Sequence, residues 1–358
     1  MGRLIGRPIG RLAPGFWRGW LVLWLVMLMV PWVTAMVWMR GVDGVSDMMV
    51  RAESDVDMGA EIGTEESEMI SSSAEVRVLP EYRILMERDG VHTYMNLEDY
   101  LPGIVLCQTE PGMELEALKC QAVIARTYIY RLMDGRSEID EKELDLSYPG
   151  EYDRGILGNQ GSREVAIAAL AQCEAAVQET SGVVMQYEGR CILPLFHKIS
   201  TGRTRTGEMD FPYLQAAESK RDVEAEGYLT ELSWNVGEFW EKISGIGGTA
   251  GSSVFSGISA EALASQIQVV QKDDSGYVSQ IKIGAKTYTG EEVQYALGLP
   301  SSCYSIFVSQ GKVCARVQGV GHGYGLSQAG ACAMARDGWG YEEILGYYYK
   351  GIAIGLGE

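Results

Sequence analysis

Histidine is scarce in this chain, three in 358 residues, so any chemistry that needs an imidazole has few candidates. Cysteine is sparse too: seven, at 107, 120, 173, 191, 303, 314 and 332, an odd number with no C-x-x-C pair. That spacing excludes a zinc ribbon or a thioredoxin-like centre. Most sit in apolar company, as in Val105-Leu106-Cys107, and read as buried small hydrophobes, with a disulfide left open. Basic charge falls short as well, 30 Lys and Arg against 48 Asp and Glu, for a net −18. Of that total, +5 falls on residues 1–40 and −9 on residues 41–76, leaving −14 for residues 77–358. So acidic a body would repel phosphate, which argues against a nucleic-acid partner. No Gly-Lys-Ser/Thr is present, which excludes a P-loop, and neither an internal repeat nor a regular βαβ alternation is found.

One run lacks charge entirely. Trp20 to Met39 are twenty uncharged residues, which as a helix at ~1.5 Å per residue span about 30 Å, the thickness of a bilayer's hydrocarbon. Arg3, Arg7, Arg11 and Arg18 precede it and no acid does, so residues 1–19 are expected in the cytoplasm, with residues 20–39 an uncleaved anchor. The competing reading is a cleaved signal peptide leaving at Val33-Thr34-Ala35, but the apolar run continues too far for that. Residues 40–76, with Asp55, Asp57, Glu61, Glu65, Glu66, Glu68 and Ser71 to Ser73, lack the apolar content to fold and read as an extended acidic stalk. Residues 77–358 are long enough to bury a core as one large domain or two lobes outside the membrane.

Within that part the pattern predicts an α+β fold of mixed helices and antiparallel strands. Residues 76–86 read as a strand interrupted by Pro80. Asn96 announces a helix that Pro111-Gly112 ends. A longer helix over about 114–133 carries Leu118, Ala122, Ala125, Ile129 and Leu132 as one buried face. Lys119 and Arg126, seven apart, lie on another face where both can reach one ligand. A third helix spans 163–181, and Glu188-Gly189 marks a hairpin between 183–187 and 190–196. Residues 245–258 read as a loop. Strands are expected at 277–288, 304–309 and 313–318, and helices at 327–337 and 341–349.

Three segments concentrate the polar chemistry: Tyr100 to Arg126, Leu195 to Thr204, and Gly319 to Ala331. Two of the three histidines, His197 and His322, fall in them. Gly321, Gly323 and Gly325 surround His322 and let a ligand approach the backbone. As a dinucleotide fingerprint the glycines are weak, because no acid follows in a βαβ unit. A lone histidine is more often a structural hydrogen-bonder than a catalyst.

Together, in this order and behind an anchor, the segments resemble the stage II sporulation protein D (SpoIID/LytB) family. The family's EALKAQAVAARTY pattern is matched by Glu116 to Tyr128. Its His-x-x-Ser-x-Gly-x-Thr signature is matched by His197, Ser200, Gly202 and Thr204. Its GHGVGMSQYGA signature is matched by Gly321 to Ala331, including Gln328, and its Ile-Leu-x-x-Tyr-Tyr by Ile344, Leu345, Tyr348 and Tyr349. The resemblance covers about residues 80–352. It implies a bacterial cell-wall role, with peptidoglycan glycan strands as ligand and other cell-wall hydrolases or sporulation proteins as candidate partners. The family's enzymes are lytic transglycosylases, and related members are called amidase enhancers. Their chemistry needs a carboxylic acid that protonates the glycosidic oxygen, after which the sugar's 6-hydroxyl closes on C1. No cofactor is implied. The resemblance places Lys119, Arg126, His197, Ser200, Thr204, His322 and Gln328 around the glycan.

The departures are informative. Counted from Tyr100 or back from Glu116, the family's acid falls on Gln108, whose amide has no proton to give at neutral pH. The nearby substitute is Glu110, held extended by Pro111 and more readily read as a solvated loop carboxylate. The expectation is a glycan-binding pocket with little or no cleavage, the alternative an active transglycosylase using Glu110. Residues 131–160 contain neither His nor Cys, so the zinc site of some relatives has no ligands here. Gln294 stands where the family usually has arginine.

Overall fold

Two short strands open the folded part. β1 (Arg83–Arg88) and β2 (Val91–Asn96) pair antiparallel, and β3 (Glu138–Asp140) adds to the other edge of β1 in parallel. The strand expected over 76–86 is therefore seen from Arg83 and runs on to Arg88. The computed structural model describes residues 81–88, 90–144, 163–246 and 259–357, all within the unit Pro80–Glu358. The expected cytoplasmic segment 1–19, anchor 20–39 and stalk 40–76 lie outside the described residues, as does most of the 245–258 loop. Among the described residues no helix is long and apolar enough to cross a membrane.

α1 (Leu97–Gln108) begins where the Asn96 side chain accepts from the Glu98 backbone N at 2.9 Å, satisfying one of the orphan amides of a first turn. α2 (Leu115–Met133) follows and is buried on two faces rather than one. Leu118, Ala122, Ala125 and Ile129 face a first core with Tyr100, Leu101 and Ile104 of α1, Ile84 of β1, and Cys173 and Ala176 of α3 (Arg163–Glu179). Ala117, Cys120, Val123 and Ile124 face a second core. A helix enclosed on both sides shows a weak amphipathic signal, so periodicity found only the first stripe.

The second core joins α2 to β4 (Val183–Tyr187), α7 (Gln328–Arg336) and α8 (Tyr341–Tyr348). β4 turns back through Glu188 and Gly189, at φ 51° and 75°, the left-handed pair of a type I′ turn. The returning strand β5 (Arg190–Cys191) pairs for two residues only, and the other edge of β4 is taken by β14 (Ala353–Leu356). Beyond β5 the chain leaves that sheet. β6 (Phe196–His197) instead pairs in parallel with β13 (Leu326–Ser327), which sets two of the three polar segments side by side.

Between β6 and β13 lies a section with its own core. It comprises β7 (Leu229–Trp234), α4 (Val236–Ser244), α5 (Ala260–Ala264), β8 (Ile267–Lys272), β9 (Val278–Ile283), β10 (Lys286–Thr289), α6 (Gly290–Leu297), β11 (Tyr304–Ser309) and β12 (Lys312–Gln318). Phe239, Ile243, Leu263, Ile281, Val293 and Val313 fill it. The strands form antiparallel sheets β10-β9-β8 and β11-β12-β7. The single strand expected over 277–288 breaks at Gly284, φ 62°, into β9 and β10. The outcome is an α+β fold in which two apolar cores flank α2 and a third fills the insertion. All seven cysteines are among the described residues; none forms a disulfide, and Cys120, Cys173, Cys303, Cys314 and Cys332 are buried.

Candidate functional site

Gln108 is the last residue of α1, and its neighbours fix it closely. The Gln328 side-chain amide donates to the Gln108 main-chain oxygen at 2.7 Å and to Gln121 Oε1 at 3.2 Å. Gln121 Nε2 in turn donates to Gln108 Oε1 at 2.7 Å. Thus the position where an acid was expected sits at the junction of α1, α2 and α7, half-buried. Gln121 escaped the sequence reading. Its signal was a polar side chain among apolar residues on a helix with two buried faces.

A groove of about 330 Å³ opens beside this junction, lined among others by Glu110, Lys198, Arg221, Glu226, Gln328 and Arg336. Glu110 is in it, but 68 % of its side chain is exposed and its carboxylate is ion-paired with Lys198. A proton-donating carboxyl is ordinarily enclosed in apolar surroundings, and Glu110 is not.

Arg126 is elsewhere. It is fully buried, its guanidinium held by both oxygens of Glu98 at 2.7 Å and by the carbonyls of Val183 and Val177 at 3.1 and 3.3 Å. It ties α2 to α1, α3 and β4, so the expected contact with a glycan is corrected to a structural role. Lys119, one of the same pair, is clamped between Glu116 at 2.5 Å and Glu179 at 2.7 Å. Desolvation works against its ammonium, but those two hydrogen bonds outweigh it and hold the pKa above the ordinary lysine value. The two side chains have no partner in common, so seven-residue spacing did not aim them at one ligand.

The His-x-x-Ser-x-Gly-x-Thr segment folds inward around Asp222, which is wholly buried. Asp222 accepts from the Ser200 backbone N at 2.8 Å, from Ser327 Oγ at 2.6 Å and from Ser219 Oγ at 2.8 Å. Burial raises its pKa while these bonds pull the other way. Thr204 Oγ1 accepts from the Ala217 backbone N at 2.8 Å. Ser200 and Thr204 therefore hold the loop together rather than facing the groove. Asp222, which no motif flagged, is the centre of that knot.

His197 and His322 do come together, ring centroids 5.8 Å apart. Two glycines make this feasible: a Cβ on Gly321 would fall 2.8 Å from His197 Cβ, and one on Gly325 would fall 1.8 Å from the Leu195 carbonyl oxygen. His197 Nδ1 lies 3.0 Å from the Tyr324 carbonyl oxygen. A carbonyl only accepts, so Nδ1 carries the proton and Nε2 is bare; Nε2 is also buried without a partner. Desolvation lowers the His197 pKa to about 4, the Tyr324 carbonyl opposing it. His322 Nδ1 accepts from the Tyr324 backbone N at 3.0 Å. Desolvation, then His197 and Arg205, push its pKa down as well, but the ring is solvent-exposed and keeps part of its hydration, so the larger effect on folding belongs to His197. Arg205, also unflagged by the sequence, locks this loop to the insertion: it pairs with Asp273 at 2.6 Å and Glu291 at 3.1 Å and lies over the rings of Tyr277 and Tyr324.

The neutral His197 makes stability pH-dependent. Its folded pKa of about 4 lies below the ordinary 6.5, so between those values the unfolded chain binds a proton that the fold refuses. The stabilisation is complete above pH 6.5 and is lost as pH falls toward 4, by about 3 kcal/mol. His197→Asn keeps a donor for the Tyr324 carbonyl but cannot titrate. Urea unfolding at pH 7 and 4.5 is expected to show a larger loss in the parent than in the variant; equal losses would refute the assignment.

Of the remaining expected residues, Gln294 lies on α6 in the insertion. The Ile-Leu-x-x-Tyr-Tyr residues Ile344, Leu345, Tyr348 and Tyr349 are fully buried, with the Tyr349 hydroxyl donating to the Leu195 carbonyl at 2.7 Å. The structure thus bonds Gln108 to Gln328, sets Gln328 with Glu110 and Lys198 in the lining of one groove, and brings His197 together with His322.

Comparison with known proteins bears on what this arrangement does. Residues 87–187 match the family model described as SpoIID, stage II sporulation protein. The chain is 28 % identical to stage II sporulation protein D of Bacillus amyloliquefaciens over 75 % of its own length and 77 % of that protein's. It is 27 % identical to the Bacillus subtilis stage II sporulation protein D over 72 % and 74 % of the two lengths. Against the amidase enhancer of Bacillus subtilis it is 23 % identical over 71 % of this chain and 40 % of that protein.

Proposed function

Because the chain belongs to the stage II sporulation protein D family, we propose that it serves sporulation or cell-wall remodelling by holding peptidoglycan glycan strands, with cleavage weak or absent. The single observation that carries this reading is Gln108. Breaking the glycosidic bond without an acid leaves a poor alkoxide leaving group, and general-acid help of this kind is worth about 10²–10⁴-fold. Gln108 keeps the size and hydrogen-bonding of a carboxylic acid but has no transferable proton. Its Oε1 accepts from Gln121 at 2.7 Å, which holds the side chain in place.

The chain is proposed to act from the outer face of the cell membrane, anchored by residues 20–39, with the 77–358 domain outside. Protease added to intact protoplasts is expected to digest the domain and spare the N-terminus. The amidase-enhancer relative makes a cell-wall hydrolase a reasonable partner for the same surface.

A second reading has one observation in its favour: Glu110 lines the groove next to Gln328. It would make the chain an active lytic transglycosylase. The two readings part in one assay. Full-length protein incubated with purified glycan strands is expected to co-sediment with them and release no anhydro-muropeptides. Release that Glu110→Gln abolishes would give the site to the enzyme reading.

A further inference from the structure

The groove beside the α1–α2–α7 junction owes its floor to small side chains on α7. Ala329, Cys332 and Ala333 line it, and residues spaced i, i+3 and i+4 share one face of a helix. The neighbouring residue fixes the helix in place: a Cβ on Gly330 would fall 2.1 Å from Tyr348 Oη and 2.2 Å from Ser219 Oγ. The GHGVGMSQYGA signature carries tyrosine where this chain has Ala329. A phenol at that position would stand in the space that the groove leaves open. Among the described residues no aromatic ring lines the groove, and its one side-chain amide, Gln328, is engaged with Gln108 and Gln121. A sugar ring seated there would press hydroxyls against methyl groups without partners for them, which is unfavourable.

The rim carries charges of both signs: Lys198, Arg221 and Arg336 against Glu110, Glu224 and Glu226. The three cations are held in exposed pairs, Lys198 with Glu110, Arg221 with Asp337 at 2.8 Å and Arg336 with Glu114 at 3.1 Å. Pairs so exposed contribute little and give way to charges that a ligand brings. A floor of methyl groups under such a rim fits a short aliphatic peptide that bears carboxylates and an amine. On a peptidoglycan strand that is the stem peptide, whose alanines and diamino acid supply those groups. We propose that this groove seats the stem peptide of the strand the protein holds, and that alanine at 329, in place of the signature's tyrosine, is what opens it. The proposal rests on the glycan-holding reading and adds to it a ligand outside the sugar chain. At about 330 Å³ the groove lies at the lower end of the ~300–1,000 Å³ of small-ligand sites, room for part of a stem peptide.

The test is equilibrium binding of the full-length protein to three soluble probes. They are the N-acetylglucosamine–N-acetylmuramic acid disaccharide, the same disaccharide carrying its tetrapeptide, and the tetrapeptide alone. The peptide-bearing disaccharide is expected to bind about tenfold tighter than the bare one, the effect of one charge-assisted hydrogen bond. That ratio should shrink as salt rises, because the rim charges are exposed. Ala329→Tyr is the critical variant: the ring takes the peptide's place and the ratio should fall to about one, while Ala329→Ser keeps it. Because a bulky side chain strains α7 wherever it finds no room, Arg336→Gln and Lys198→Gln read the rim independently, each lowering the ratio about threefold. Binding of the free tetrapeptide that Ala329→Tyr abolishes would support the groove as its seat. A parent that binds the bare and peptide-bearing disaccharides alike would overturn the proposal while leaving the glycan reading standing. A preference that Ala329→Tyr leaves intact would overturn it too, since the peptide would then lie elsewhere. No binding of any probe or strand would sink the glycan reading and the proposal with it.

Discussion

Gln108→Glu is expected to release anhydro-muropeptides from glycan strands on which the parent protein is silent, with the rate rising as pH falls from 7 toward 5. The substitution exchanges an NH2 for an oxygen and little else. Gln121 Nε2 still donates to the inner oxygen, as it does to Gln108 Oε1 at 2.7 Å. The Gln328 bond is to the main-chain oxygen of residue 108 and does not depend on the side chain. What is added is one transferable proton on the second carboxyl oxygen, where the parent has an N–H that cannot be transferred. A correctly placed general acid contributes about 10²–10⁴-fold, enough to lift turnover from background into the range of a chromatographic assay. A folded variant that stays silent at every pH would mean that the site lacks more than its acid, and the weakened-enzyme account of Gln108 would be withdrawn.

Arg126→Ala is expected to cost about 3–5 kcal/mol of folding stability, the range for removing one partner of a buried ion pair. Arg126 is wholly buried while the Glu98 side chain is 31 % exposed, so the substitution strands a carboxylate and also the carbonyls of Val177 and Val183. Those groups belong to three different elements, and the guanidinium is what fastens them to α2. Arg126→Lys should recover less than half of the loss, because an ammonium cannot reproduce the bidentate fork. Urea unfolding of the parent, both variants and the Glu98→Gln/Arg126→Ala pair would measure this. Were Arg126 a glycan contact instead, Arg126→Lys would leave stability unchanged and lower affinity alone.

That second expectation reverses what the spacing of Lys119 and Arg126 suggested. Helical geometry is local and was readable: the Asn96 cap, the 115–133 helix and the glycine-bearing turn at 188–189 all follow from neighbours a few residues apart. Which side of a helix meets solvent is not local. α2 has core on two sides, and once both are assigned, Arg126 has only protein to face. The Ser200 and Thr204 hydroxyls were misread for the same reason. A hydroxyl in a motif looks alike whether it meets a sugar or a backbone amide; here Ser200 Oγ accepts from the Gly202 backbone N at 3.1 Å and Thr204 Oγ1 from that of Ala217 at 2.8 Å, and Asp222, which takes the Ser200 backbone N, comes from a segment carrying no signature.

By itself the sequence determined the family resemblance, the α+β class and the identity of residue 108, because those depend on residue type and short-range order. Only the tertiary structure decided which polar groups are spent on one another. The partners of Gln108 lie 13 and 220 residues away and those of Asp222 up to 105. A hydrogen bond's direction is set by what stands opposite it, and no local pattern records what the fold brings there.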